Sequence, residues 1–419
     1  MARSRNDTFL LFATRIVRLF AYGFLSIALV LYLAQVGLTT QKIGLLLTFA
    51  LAGDAAISLW ITTSADRLGR RRMLVFGAVL MVLAGVVFAL TRNPVLLIAA
   101  AIVGVISPSG NEIGPFLSIE QASLSQLVSN ERRTQVFAWY NLVGSFATAL
   151  GAFFGGLLAQ ILQTSGFTQL ESYRAVLIGY ALCGAVLALL FLRLSPSTEI
   201  SNPAAGLPVK CLLGLHRSRK IVIRLSSLFG LDAFGGGLIV QSIMVYWFHV
   251  RFGVGIGVLG GIFFGANILA GVSALLAARI AARIGLVNTM VFTHIPSNIL
   301  LILVPLMPTL PAAVVVLLLR FSISQMDVPT RQSYTMAVVA PDERSAASGV
   351  TTIARSVGAS LSPALSGVLL ANPLLMNVPF FLAGGLKIIY DLLLYRSFGR
   401  IRPPEETLRE GSARNGRLK

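Results

Sequence analysis

The amino-acid sequence predicts an all-α membrane protein of twelve transmembrane helices, built as two six-helix bundles. The first indication is composition: 56% of the residues are hydrophobic, 12% are charged, and the mean hydropathy is +0.81, which is far more apolar than a soluble domain. The second is a succession of apolar segments of about 20 residues, the length that crosses a bilayer. The third is a repeat that relates the two halves of the chain.

The first half of the chain contains six apolar segments. They cover residues 9–34, 43–63, 73–91, 94–127, 134–162 and 174–194. Arg15 and Arg18 interrupt the first segment and no small-residue cleavage site follows, so we expect a retained helix rather than a signal peptide. The fourth segment is too long for one straight crossing and contains Pro108 and Pro115, which predicts a kinked or broken helix.

The second half repeats this arrangement after a long polar connection. Its apolar segments cover residues 221–249, 255–278, 287–306, 310–338, 345–371 and 378–398. The connection is rich in proline and basic residues, as expected of a linker outside the membrane. The predicted organisation is a first bundle at 1–194, a cytoplasmic linker at 195–220, a second bundle at 221–398 and a basic cytoplasmic tail at 399–419.

The formal net charge of +18 raises the question of where the 34 Lys and Arg residues lie. Most of those in loops fall on the side of both termini, whereas the other side carries Lys42, Arg92, Arg174 and Arg251. We therefore expect a cell membrane, such as the bacterial inner membrane, with both termini cytoplasmic. The chain has neither zinc-finger spacing nor a basic-aromatic stripe, so we expect no nucleic acid partner. Two cysteines are too few for a disulfide framework or a metal site, and no cofactor is expected.

The internal repeat can be followed residue by residue. The loop after helix 2 matches the loop after helix 8 at a constant spacing. The matches are Arg67 with Arg283, Gly69 with Gly285, and Phe76 with Phe292. The offset is 216 in this loop and 211 after helix 4, because loop lengths differ. At 211 Glu120 corresponds to Arg331, and at an interpolated 214 Arg18 corresponds to Asp232. Opposite charges thus occupy equivalent places in the two halves.

The loop between helices 2 and 3 carries a known motif. It reads Ser64-Ala65-Asp66-Arg67-Leu68-Gly69-Arg70-Arg71-Arg72. It resembles the signature loop of the major facilitator superfamily, and the resemblance covers essentially the whole chain. The resemblance implies the fold of that superfamily, two bundles around a central cavity, and transport by alternating access. It also implies a cytoplasmic gate formed by Asp66, Arg67, Gly69 and Arg70, with a topology-setting role for the loop as the alternative.

Small residues in helices 5 and 11 permit two interpretations. Helix 5 resembles the glycine-rich motif of antiporters in the same superfamily, but Ala152 stands where that motif has proline. The alternative is close helix packing. The residues concerned are Gly151, Gly155, Gly156, Pro363 and Gly367. In helix 4, Ala100 stands where drug-efflux branches have an arginine, so their proton relay does not carry over.

Ionisable residues within the apolar segments are the best candidates for a transport site, because an unpaired charge in the membrane is costly. The candidates for substrate binding or proton coupling are Arg18, Asp54, Glu112, Glu120, Asp232, Asp327 and Arg331. Either they exchange partners during transport or they form static pairs. Lys387 and Asp391 are spaced i, i+4 and are expected to be structural, while Arg355 and His294 fit either role.

The function predicted from these observations is secondary active transport of a small organic solute by alternating access, as proton-coupled efflux. The alternative is uptake or exchange of an anionic metabolite bound by Arg18 and Arg331. A third class is a non-transporting membrane sensor or an intramembrane enzyme, but the sequence has no phosphate loop, HExxH or GxSxG motif, and we expect no enzyme. The expected partners are the solute, protons and the lipid bilayer, and we expect a monomer.

Overall fold

The computed structural model describes residues 2–110, 116–128, 130–199, 216–340 and 343–399. In the first half of the chain these residues form seven α-helices. They are α1 (Ala2–Gln35), α2 (Thr40–Leu68), α3 (Arg70–Leu90), α4 (Pro94–Val103), α5 (Phe116–Leu127), α6 (Asn130–Thr164) and α7 (Gln169–Leu192). A short 3-10 turn at Pro196–Thr198 follows.

The second half contains eight further helices within the described ranges. They are α8 (Arg219–Gly237), α9 (Gln241–Phe252), α10 (Ile256–Ile284), α11 (Leu286–Leu303), α12 (Leu310–Phe321), α13 (Asp327–Val338), α14 (Arg344–Leu370) and α15 (Val378–Phe398). A 3-10 turn at Val304–Leu306 extends α11.

The predicted fold class is confirmed. Among the described residues, ten spans are long and apolar enough to cross a membrane, with α8 and α9 forming one of them. The shorter apolar helices α4 and α12 begin the remaining two crossings. Each of the twelve apolar segments in the sequence thus corresponds to a helix or to a pair of consecutive helices. The chain is a multi-pass membrane protein whose fifteen described helices form twelve crossings.

Three crossings are interrupted within the part of the chain that the structure describes. The predicted break in the fourth lies between α4 and α5, although residues 111–115 are outside the described residues. The seventh is interrupted at residues 238–240 and the tenth at 322–326, and neither of these breaks is predicted from the sequence. Interrupted helices are tolerated at membrane depth where protein or a water-filled cavity surrounds the free backbone groups.

The described residues form two compact units. The first unit contains residues 2–199 with their gaps, 237–268 and 360–379, and the second contains 216–236, 269–359 with its gap, and 380–399. The first unit therefore joins the first six crossings with segments of the second half. The division of the sequence at a linker stays a prediction, because residues 200–215 and the tail from 400 onward lie outside the described residues.

Small residues allow helices of the first unit to lie backbone against backbone. A Cβ atom on Gly151 of α6 would lie 2.0 Å from the carbonyl oxygen of Phe20 in α1, and one on Gly155 would lie 2.5 Å from that of Phe24. Two glycine pairs meet in the same way. A Cβ atom on Gly156 would lie 2.9 Å from the Cα of Gly260, and one on Gly44 would lie 2.8 Å from the Cα of Gly367. Close approach of the backbones increases the van der Waals contact between the helices. This contact holds the helices together, because lipid supplies little hydrophobic force between them.

Candidate functional site

The first unit contains a buried ion pair between the first and fourth crossings. Arg18 of α1 faces Glu120 of α5, with Nη1 2.7 Å from Oε1 and Nη2 2.7 Å from Oε2. Both side chains are fully buried, at 0% exposure. The two parallel contacts form a bidentate pair, the strongest geometry available to a guanidinium and a carboxylate.

Further groups complete the surroundings of this pair. The Thr14 hydroxyl donates to Glu120 Oε1 at 2.7 Å, and the Tyr140 hydroxyl donates to Oε2. The guanidinium of Arg18 lies over the ring of Phe116, 5.0 Å from its centroid. These donors satisfy both oxygens of the buried Glu120 carboxylate, where an unpaired charge would be costly.

Two other ionisable residues of the first half occupy different places in this unit. Arg15 donates to the Tyr140 carbonyl at 2.6 Å and to Asn141 Oδ1 at 3.1 Å, which fastens α1 to α6. Asp54 is buried on α2. Glu112 lies outside the described residues, so its predicted role stays a prediction.

The second unit contains a larger cluster centred on Asp232 of α8. Its Oδ2 atom accepts from Arg331 Nη1 at 3.2 Å and from Arg355 Nη1 at 3.3 Å, and its Oδ1 atom accepts from Lys387 Nζ at 2.6 Å. Asp327 accepts from the same Arg331 nitrogen at 2.8 Å, as the i, i+4 spacing predicts. Four helices of the second unit, α8, α13, α14 and α15, thus meet at one carboxylate.

A histidine joins this cluster from α11. His294 Nδ1 lies 2.9 Å from Asp391 Oδ1, and its Nε2 lies 3.9 Å from Asp232 Oδ1. Asn298 donates to the other oxygen of Asp391 at 3.0 Å. The i, i+4 spacing indicated a peripheral pair of Lys387 and Asp391, whereas Lys387 contacts Asp232 and Asp391 contacts the histidine.

The two units therefore use equivalent positions with reversed polarity. In the first, Arg18 on the first crossing pairs with Glu120 on the fourth. In the second, Asp232 on the seventh crossing pairs with Arg331 on the tenth. Glu120 and Arg331 are each the fifth residue of the helix that follows an interruption. The charge inversion that the repeat indicates is realised as two ion pairs, each closed within its own unit.

The motif between α2 and α3 is described in part. Gly69 separates the two helices with φ of +99°, a conformation that glycine adopts without strain. The amides of Arg70 and Arg71 donate to the Glu199 carboxylate at 2.7 and 3.1 Å, which caps the first turn of α3. The side chains of Asp66 and Arg67 lie outside the described residues, so the gate stays a prediction.

A second carboxylate caps a helix in the second unit. Glu343 accepts from the amides of His216, Arg217 and Ser218 at the start of α8, the last two at 2.8 Å. Desolvation by burial raises the pKa of the Glu343 carboxyl, but the hydrogen bonds from these amides and from the Ser218 hydroxyl outweigh it. The net result is a pKa of about 2. The cap therefore holds an ionised carboxylate at neutral pH.

Across the described ranges, no group of three or more His, Cys, Asp or Glu side chains is placed to hold a metal ion. The side chains of the two clusters are guanidinium, ammonium, carboxylate and imidazole groups, and they form ion pairs and hydrogen bonds. His294, Lys387 and Arg355 belong to the Asp232 cluster, whereas the sequence left His294 and Arg355 open between a structural and a transport role and indicated a structural role for Lys387. Their charge inside apolar segments was visible, but their contacts join helices far apart in the chain.

Comparisons with known proteins give one family and one relative. The sequence model of the Major Facilitator Superfamily matches residues 11–363. An uncharacterized membrane protein of Saccharomyces cerevisiae is 32% identical over 418 residues, covering 93% of each chain.

Solved transporter structures share the fold. The nucleoside transporter NupG superposes with a TM-score of 0.71 at 15% identity, covering 94% of this chain and 99% of that one. A D-xylose-proton symporter gives a TM-score of 0.72 at 14% identity, covering 94% and 98%. The names of these two proteins specify chemically different solutes, so the shared fold does not identify a substrate.

Proposed function

Because the chain belongs to the major facilitator superfamily, we propose that it is a secondary active transporter that moves a small organic solute across the membrane by alternating access. Transporters of this superfamily bind small molecules, lie in lipid, and are typically not enzymes. The proposed orientation places both termini in the cytoplasm, because the basic loops lie on their side. The proposed working form is a monomer.

The observation that carries this proposal is the pair of buried ion pairs with reversed polarity. A buried pair is costly to assemble and more costly to break, because the remaining charge is left unpaired in a region of low dielectric constant. Glu120 and Arg331 both follow interruptions of membrane helices, where a cavity or a neighbouring helix must satisfy the free backbone groups. Placing such pairs there favours groups that change partners over groups that only stabilise the fold.

Proton coupling follows from the same chemistry. A proton on Glu120 removes the charge that Arg18 neutralises, and a proton on Asp232 does the same for three cations. The freed cation then needs a new partner, which a substrate can supply. We propose that the proton gradient drives the cycle in this way. Proton and substrate then move in the same direction, so efflux, the direction predicted from the sequence, requires that they bind in alternation instead of together.

The test is transport by the purified full chain in liposomes with an imposed pH gradient. The probes are D-xylose and uridine as neutral solutes, choline as a cation, and lactate and succinate as anions. We expect at least one of them to accumulate, and a protonophore to abolish the accumulation. Correctly folded protein that moves none of the five above the rate of protein-free liposomes would contradict the proposal.

The exposure of Arg355 favours a second candidate, uptake or exchange of an anionic metabolite. The side chain of Arg355 is 35% exposed, against 0% for Arg18 and 6% for Arg331, so it is the most accessible guanidinium of the three. A guanidinium binds carboxylate and phosphate groups through parallel hydrogen bonds. If this candidate is correct, Arg355→Gln raises the KM for lactate or succinate, while transport restricted to choline would exclude it.

A further inference from the structure

His294 is a buried ionisable group to which the proposed function assigns no role. It lies on α11, with one ring nitrogen 2.9 Å from a carboxylate oxygen of α15 and the other 3.9 Å from a carboxylate oxygen of α8. We propose that His294 is the proton-coupling group, and that its protonation releases Arg355 from Asp232 to bind an anionic substrate. This inference rests on the proposed transport function. It places the coupling proton on His294 instead of directly on Glu120 or Asp232, and it adds the substrate class.

The charge of the cluster is balanced when His294 is neutral. Within the described part of the second unit, the carboxylates of the cluster are Asp232, Asp327 and Asp391, and the permanent cations are Arg331, Arg355 and Lys387. A proton on the imidazole adds one positive charge without adding a carboxylate. The cluster then contains four cations and three carboxylates, so the cation with the weakest contact to a carboxylate dissociates from it.

The geometry of the ring assigns the proton to one nitrogen. Neutral imidazole has one N–H donor and one lone pair. When Nδ1 donates to Asp391 at 2.9 Å, the lone pair of Nε2 faces Asp232 Oδ1 at 3.9 Å, which is repulsive. Protonation of Nε2 replaces this lone pair by a donor. Asn298 holds Asp391 in place at 3.0 Å, so the ring keeps its orientation in both states.

The groups around His294 come from several helices. From α15, Asp391 contacts it and Tyr390 packs against it in a T-shaped arrangement with ring centroids 6.0 Å apart, while Lys387 of the same helix contacts Asp232. From α8 it is approached by Asp232. Asp232 also contacts Arg331 of α13 and Arg355 of α14, and Arg331 in turn contacts Asp327.

Arg355 is the cation that can leave at the least cost. Its contact with Asp232 is the longest of the three hydrogen bonds, at 3.3 Å. Its side chain is 35% exposed, against 10% for Lys387, so protein atoms enclose the guanidinium less than they enclose the lysine ammonium. Releasing the lysine would leave a charge unpaired in the protein interior. A free, partly exposed guanidinium is the natural site for a carboxylate or phosphate group.

Arginine modification tests the release without any substrate. The full-length protein in detergent is treated with phenylglyoxal, and the modification of Arg355 is measured by peptide mass spectrometry relative to the exposed Arg92. If acidification from about pH 8 to about pH 5.5 lowers the paired fraction of Arg355 from about nine-tenths to about one-half, the relative modification rises about fivefold. An unchanged ratio in the wild-type protein would overturn the proposal.

Substitution of the histidine sharpens the test. His294→Asn keeps a donor near Asp391 but removes the titration, so the Arg355 ratio should become independent of pH. His294→Gln, whose amide reaches toward the position of Nε2, should do the same and replaces the first variant if that one fails to fold. The matched control is His249→Asn, because His249 contacts the Val254 carbonyl outside the cluster. A wild-type profile in either His294 variant would contradict the proposal.

Transport measurements separate the coupling residue from the proposed function. For lactate or succinate, exchange at equal pH should survive in His294→Asn, whereas accumulation driven by the pH gradient should be lost. Accumulation that persists in this variant refutes the role of His294 but leaves proton-coupled transport intact. If the wild-type protein transports none of the probes but shows the pH-dependent modification, transport fails as the function while the proton-linked release of Arg355 is supported.

Discussion

Replacing Glu120 by glutamine should destabilise the protein strongly, because it leaves the guanidinium of Arg18 buried without a counter-charge. Removing one partner of a buried pair costs about 3–5 kcal/mol. The glutamine carbonyl can still accept from Thr14 or Tyr140, which places the expected loss at the lower end, about 3 kcal/mol. A loss of this size should lower the thermal midpoint in detergent by several degrees.

The double variant Arg18→Met, Glu120→Gln distinguishes pairing from simple burial. It removes the orphaned charge, and replacing both members of a buried pair is often close to neutral. We therefore expect it to be more stable than Glu120→Gln alone, which makes the two substitutions strongly non-additive. Thermal unfolding followed by tryptophan fluorescence, on protein that elutes as a single peak, gives the four midpoints that the comparison needs.

The matched control is Glu171→Gln, which makes the same chemical change at an exposed carboxylate in the capping box of α7. It should leave the midpoint close to that of the wild-type protein. If Glu120→Gln behaves like this control, or if the double variant loses the sum of the single losses, then Arg18 and Glu120 are not coupled and their ion pair does not stabilise the fold.

Three further predictions concern packing and capping. Gly151→Val should cost at least about 3 kcal/mol or prevent folding, because the added Cβ would lie 2.0 Å from the Phe20 carbonyl oxygen; Gly261→Ala, with open space around its Cβ, is the control. Gly69→Ala should cost about 1–3 kcal/mol, because its φ of +99° is strained for alanine, and the same control applies. The Glu343 carboxyl has a pKa of about 2 against a reference value of 4.5, so its cap stabilises the fold above about pH 4.5. That contribution is lost as the pH falls from 4.5 toward 2, and a Glu343→Gln variant should lack this part of the pH dependence of the thermal midpoint.

The membrane fold could be predicted from the sequence because apolar length and proline are local signals. The break near Pro108 was visible, since proline removes an amide donor and clashes with the preceding turn. The break after α8 follows Gly235, Gly236 and Gly237 but contains no proline or polar residue, so hydropathy alone describes one continuous span. The glycine run was the signal that could have indicated it.

Within the candidate site, the sequence predicts only the relation between residues that the internal repeat matches. The repeat related Glu120 to Arg331 without any structure, and both lie at the same position of equivalent helices. It could not relate His294 or Lys387 to Asp232, because these contacts join α11 and α15 to α8 across long stretches of chain. Which side chains meet between helices depends on helix rotation and crossing, and apolar periodicity in a lipid-exposed helix constrains both only weakly.

The balanced cluster around Asp232 leads to a last prediction about membrane potential. Moving one elementary charge through 100 mV is worth about 2.3 kcal/mol. With His294 neutral, the three carboxylates and three cations of the described cluster cancel. With His294 protonated and a monovalent anion on Arg355, the added charges cancel as well.

A cycle that alternates between these two states carries no net charge for lactate and one net negative charge for succinate. In liposomes whose potential is set by potassium and valinomycin, pH-driven lactate uptake should therefore be independent of the potential. Succinate uptake should be opposed when the interior is negative. Lactate uptake that responds to the potential as strongly as succinate uptake would show that a second charge moves with the proton, and the assignment of a single coupling proton to His294 would be wrong.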